Sequence, residues 1–166
     1  MKKHYLYWSE VENQTQEIIR QISRSRWHAD YVVGMTCGGL VPATLLSQYF
    51  ECPMYSLDIG ESNTWMAEDA LGHPDKEVTN ILIVDDFNNT GDAFNWLVDD
   101  WKRCLPEVAN WDNVWNKNVR FACLYDNLTT KFEYKIDYCA KEVNNIDEDT
   151  EIQFPWQEWW NRPFGY

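Results

Sequence analysis

No apolar run in this sequence is longer than five residues, whereas a helix that crosses a bilayer needs about 20. The opening Met1-Lys2-Lys3-His4 is not followed by the apolar stretch of a secretory signal. The expectation is a soluble, cytoplasmic protein without a membrane partner. Cysteine is sparse and unpatterned: Cys37, Cys52, Cys104, Cys123 and Cys139 are odd in number, scattered, and never in CxxC spacing. That excludes a disulfide framework and a cysteine-based zinc site, and it implies reduced thiols. Basic residues are also scarce, 14 Lys plus Arg against 27 Asp plus Glu, for a formal net charge of -13. A nucleic-acid binder needs a basic face to neutralise phosphates, so nucleic acid is not an expected partner.

What is abundant is aromatic surface. Ten tryptophans and nine tyrosines stand among 166 residues, and Trp101, Trp111, Trp115, Trp156, Trp159 and Trp160 fall in the C-terminal half. Core and subunit-interface packing is the expected use of such residues, and a homo-oligomer follows from it. The length suits one domain, residues 1–166, that buries about two thirds of its extended surface.

Hydrophobic periodicity orders the chain. Ser9 and Glu12 have capping-box spacing, and Val11, Thr15, Ile18, Ile19 and Ile22 then share one helical face. Residues 31–35 (YVVGM) read as a buried strand, followed by the turn Thr36-Cys37-Gly38-Gly39 and a helix over 42–49. Residues 54–59 form another strand, and 60–77, polar and broken by Gly72 and Pro74, reads as a mobile excursion. ILIV at 81–84 is a strand that leads to a helix over 91–103. Further strands are expected at 119–125 and 134–140. Strands alternating with helices predict an α/β fold, an open and mostly parallel sheet flanked by helices.

Ligands in such sheets sit beyond the carboxyl ends of the strands. Three sets lie there: residues 36–39, then Asp85-Asp86-Phe87-Asn88-Asn89-Thr90-Gly91, then Asp126-Asn127. In the second set, successive N–H groups of Phe87, Asn88, Asn89, Thr90 and Gly91 can wrap an anion at a helix N-terminus, with the Thr90 hydroxyl as a further donor. Asp85 and Asp86 at the strand end can bind ribose hydroxyls or a hydrated Mg²⁺. The same residues also suit a ligand-free helix start, since Asn88, Asn89 and Thr90 are good N-caps.

ILIVDDFNNTG resembles the diphosphate-ribose motif of the type I phosphoribosyltransferases, and other segments extend the resemblance. YVVGMTCGGLVPATLLSQYF is similar to the pyrophosphate-loop unit of the xanthine-guanine and hypoxanthine branch. HYLYWSEVENQTQEI resembles that branch's first strand and helix, and DTEIQFPW at 149–156 resembles the segment that closes over the base. The resemblance implies transfer of a 5-phosphoribosyl group from phosphoribosyl diphosphate to a nucleobase, in purine salvage, with Mg²⁺ as cofactor and pyrophosphate released. It implies that Asn88, Asn89, Thr90 and Gly91 hold the 5-phosphate, and that Asp85 and Asp86 address the ribose and the metal. Thr36, Cys37, Gly38 and Gly39 would meet the pyrophosphate. Asp126, Glu151 and Ile152 would meet the base, and residues 60–77 together with the C-terminal segment would form a small hood.

Four positions depart from the family pattern, one of them Glu151, which falls where that branch has a stacking aromatic. Asn89 stands at the catalytic position, where purine-specific members have an Asp that exchanges a proton with the ring. Cys37 replaces an Arg, and Asp126 falls approximately where a Lys meets the purine oxygen. These departures leave an alternative open, a weak or inactive relative that binds a nucleotide or phosphoribosyl ligand as a sensor or assembly component. A signalling receiver domain, which also carries an acidic pair after a strand, is excluded by order, because two βα units precede Asp85.

Overall fold

The computed structural model describes residues 2–107, 110–144 and 150–163. Along the chain run β1 (Lys2–Tyr5), α1 (Trp8–Ser25), β2 (Tyr31–Met35), α2 (Leu40–Phe50), β3 (Met54–Leu57) and α3 (Thr64–Leu71). They are followed by β4 (Ile81–Asn88), α4 (Asp92–Cys104), β5 (Val119–Asn127), β6 (Tyr138–Val143) and β7 (Thr150–Gln153). Five strands form one all-parallel sheet in the order β3-β2-β4-β5-β6. β1 and β7 pair separately, also in parallel. No helix among the described residues is long and apolar enough to cross a membrane.

The central strands are apolar on both faces because both faces are covered. Along β4, Ile81 and Ile83 enter one core and Leu82 and Val84 the other, as the strand period of two requires. The first core lies under α3 and α4 and is aromatic: Phe94, Trp101, Trp111, Trp115, Phe121 and Phe132 meet there. The second lies under α1 and α2 and includes Leu6 and Phe154 from the small sheet's flanks.

Four sequence expectations change. Helix α1 starts before the expected Ser9 cap: the Glu10 carboxylate accepts the Tyr7 N–H at 2.7 Å. Leu6 and Val11, on either side of that turn, share one core as a hydrophobic staple does. Residues 60–77 are not only a polar excursion, since α3 forms within them and buries Met66, Ala67 and Ala70. The strand expected at 134–140 begins at Tyr138, because Tyr134 and Ile136 pack against the aromatic core and Asp137 accepts the Phe121 N–H at 2.9 Å. Finally, the small layer that includes the expected C-terminal segment also takes in β1 from the other end of the chain, paired with β7.

Candidate functional site

The strand order places the site. The chain leaves β2 outward to β3 and returns on β2's other side to β4, so the direction of winding reverses between β2 and β4. At such a switch point the loops after the two strands diverge and leave a crevice. The loops there are residues 36–39 and 85–91.

They meet directly. A Cβ built on Gly38 would overlap the Asp86 carboxylate, so only glycine lets the turn after β2 lie against the acid at the end of β4. The Thr36–Cys37 peptide is cis, and the Thr36 hydroxyl donates to Asp58 beyond β3. Cys37 is exposed.

The acidic pair is half-buried. Asp85 Oδ1 accepts the Asp86 N–H at 2.8 Å, and Asp86 Oδ1 accepts the Phe87 N–H at 2.7 Å. Burial pushes the Asp85 carboxyl well above the usual carboxylate range, and the neighbouring Asp86 charge adds to this. Burial also raises Asp86, with an offset from Asp85, the Phe87 N–H and the nearby Trp156 indole. That indole N–H favours the charged Asp86 by proximity and dipole, although it reaches no partner at hydrogen-bond geometry. Two half-buried carboxyls side by side are costly in isolation, and such strain gathers at functional sites.

After Asn88 the chain turns through Gly91, at φ 92°, into α4. The Thr90 hydroxyl accepts the Asp92 N–H at 3.2 Å, which leaves its own hydrogen for another acceptor. Phe87 packs edge-on to Tyr125. The two asparagines are tied to β5: Asn88 Nδ2 donates to Asp126 Oδ1 at 2.9 Å, and Asn127 Nδ2 donates to both the backbone oxygen and Oδ1 of Asn89, at 3.1 and 3.0 Å. Sequence reasoning placed Asn127 at a strand end but gave it no role, because a bond 38 residues long in sequence leaves no local pattern.

The three residues expected at a base do not form one cluster. Asp126 is engaged by Asn88, and its carboxyl is raised by burial, with Asn88 opposing and Glu142 adding. Glu151 and Ile152 are adjacent on β7 and so project to opposite faces. Glu151 is exposed and accepts from Gln153 at 2.6 Å. Ile152 packs toward the second core and lines a cavity of about 370 Å³ with His4, Tyr125, Lys141, Glu142, Val143 and Thr150. Asp149, the start of the resembling C-terminal segment, lies outside the described residues. A cavity of about 540 Å³ lies elsewhere: Val78 and Asn118 line it just before β4 and β5 begin, at the edge of the sheet opposite the acids. The chemistry argues for the other edge, where the glycine turn and the acids converge.

A parallel sheet with a glycine turn and an acidic pair at its switch point is an α/β architecture with its candidate site at the carboxyl edge. The family model for the phosphoribosyl transferase domain matches residues 3–161. The chain belongs to that family and is a phosphoribosyltransferase. Its fold is shared by a purine phosphoribosyltransferase from Pyrococcus horikoshii, 22% identical over 95% of this chain and 96% of that one, with a TM-score of 0.65. It is shared by a xanthine-guanine-hypoxanthine phosphoribosyltransferase from Helicobacter pylori, 16% identical over 95% of each chain, TM-score 0.68. A protein from Neisseria gonorrhoeae with bound ppGpp is 17% identical over 93% and 89%, TM-score 0.60. Among curated proteins none matches significantly by sequence.

Proposed function

We propose that the protein transfers the 5-phosphoribosyl group of phosphoribosyl diphosphate to a purine nucleobase and releases pyrophosphate. The observation that carries this reading is the contact of Gly38 with Asp86, which joins the turn after β2 to the acidic pair after β4. One compact ligand can thereby touch both loops. The purine enzymes among the similar folds support the choice of base.

In this reading the N–H groups of residues 88–91 and the Thr90 hydroxyl hold the 5-phosphate at the positive end of α4. Asp85 and Asp86 accept from the ribose hydroxyls, and residues 36–39 present N–H groups to the pyrophosphate. Mg²⁺ fits the donor set, two hard carboxylates held close to a turn that meets phosphate, since this ion takes few protein ligands and keeps water and substrate oxygens. Asp85 and Asp86 would hold it, and when bound it would neutralise charge on the pyrophosphate. Asn89 hydrogen-bonds but cannot take a proton at neutral pH, so this chain relies on positioning and charge neutralisation more than on a general base.

The test is pyrophosphate release from phosphoribosyl diphosphate and Mg²⁺ with each common nucleobase in turn. Release with purines is expected. Binding of phosphoribosyl diphosphate without release in the presence of any base would replace this reading with that of a binding relative.

A further inference from the structure

We propose that the end of β5 and the segment after it, residues 127–133, form the second wall of the phosphate cradle and that Asn127 is its positioning residue. This rests on the reading of residues 88–91 as the cradle. Its observations are nonetheless independent of that reading, because they concern how the loop is held rather than what it holds.

The cradle is held from one side by its own strand and helix and from the other by this segment. Asn127 is 5% exposed, and its Nδ2 spans both oxygens of Asn89 at 3.1 and 3.0 Å. Its Oδ1 accepts from the Thr129 N–H at 3.2 Å and the Thr129 hydroxyl at 3.0 Å, which folds the segment back toward the cradle. The Lys131 N–H then donates to the Thr90 backbone oxygen at 2.9 Å. Asn95, one turn into α4, completes the strap: its Nδ2 donates to the Lys131 oxygen at 2.9 Å and its Oδ1 accepts the Glu133 N–H at 3.0 Å. Phe132 anchors the wall in the aromatic core, 4.8 Å from Phe121 between ring centroids. The approach is close enough that a Cβ on Gly91 would overlap the Phe132 nitrogen and sit 2.8 Å from Thr130 Oγ1. Gly91 is therefore required twice, for its left-handed φ and for this wall.

The consequence is orientation. An anion site made of backbone N–H groups works only if the peptides point inward before the ligand arrives, and a glycine-containing turn of four residues has many alternatives. In this wall the bonds fall on carbonyl oxygens, those of Asn89 and Thr90. Fixing each of those oxygens outward fixes the N–H of the following residue in the same peptide plane, that of Thr90 and of Gly91. Asn127 acts through Asn89 and the following peptide and not on the ligand.

The experiment is titration of the full chain with ribose 5-phosphate, together with steady-state transfer kinetics. Asn127→Ala, and as a second variant the isosteric Asn127→Asp, which keeps the acceptor toward Thr129 but removes the donor toward Asn89, should each weaken ribose 5-phosphate about tenfold. KM for phosphoribosyl diphosphate should rise by a similar factor while kcat changes less, a split that a general loss of stability would not produce. Hydrogen exchange at the Thr90 and Gly91 amides in the ligand-free protein should accelerate in both variants. Unchanged affinity and exchange in folded variants would overturn the wall. If the unaltered protein fails to bind ribose 5-phosphate, the cradle reading falls and this proposal falls with it; binding that is indifferent to Asn127 overturns this proposal alone.

Discussion

The two sides of the sheet's interior and its carboxyl edge are built on opposite terms. Under α3 and α4, aromatic rings meet at centroid distances of about 5 to 6 Å, among them Trp111 stacked on Trp115 at 5.4 Å and Phe94 edge-on to Phe121 at 5.2 Å. The cluster itself is made of apolar and aromatic side chains, with charged groups only at its border, such as Lys102 over the Tyr134 ring and the buried Asp100 on α4. At the β2 and β4 ends, by contrast, two adjacent, half-buried carboxyls are held close to each other and to a glycine turn. The first region is built on packing. The second holds like-charged groups together, and in the proposed function a phosphate, a ribose and a cation complete it.

The largest expected effect tests the first half of that contrast. Trp101 is fully buried, and its indole N–H has no hydrogen-bond partner, so its contribution is almost all packing. Trp101→Ala should cost about 3–5 kcal/mol of unfolding free energy, read from denaturant midpoints. A loss below about 1 kcal/mol would mean that the aromatic layer is not the stabilising region. Gly38→Ala tests the other half. The added methyl must displace the Asp86 carboxylate or the turn, so affinity for phosphoribosyl diphosphate should fall about a hundredfold, with the unfolding midpoint little changed. Should the methyl be tolerated with normal affinity, the junction of the two loops would not be the binding determinant.

The contrast also explains which features were legible in the sequence. The strands ILIV and YVVGM are visible because interior parallel strands must be apolar on both faces, and the site follows from them because polar turns at their ends have few other reasons to be so acidic and so rich in glycine. The small sheet was not visible as a pairing. β1 is Lys-Lys-His-Tyr, mostly exposed, and β7 lies 148 residues later in register with it, so neither carries a hydrophobic pattern to announce the other. Helix α3 escaped for a related reason: its buried residues are Met66 and two alanines, a weak apolar signal inside a polar stretch. Likewise the acids and the turn proposed as a cradle are contiguous along the chain, whereas the Asn127 bonds to Asn89 and the seating of Gly38 on Asp86 depend on distances between loops.

The smallest expected effect is the most direct measure of what the carboxyl edge gives up. Asp85 is held above the ordinary carboxylate pKa by burial and by Asp86. A raised folded-state value means that the folded chain keeps a proton the unfolded chain would release. The group's favourable contribution is therefore complete below the unfolded value of about 3.9 and is lost as pH rises through the higher folded value. Asp85→Asn cannot ionise and keeps an oxygen that can accept the Asp86 N–H. It should stabilise the protein at pH 7 by about 0.5–2 kcal/mol and flatten the decline in stability across that pH window, as thermal unfolding at a series of pH values would record. Transfer activity should be lost in the same variant, since an amide cannot replace a carboxylate toward ribose hydroxyls or a hard cation. A variant that is both less stable at pH 7 and inactive would show that the carboxylate holds the edge together rather than straining it. The contrast between the two regions would then be one of chemistry alone.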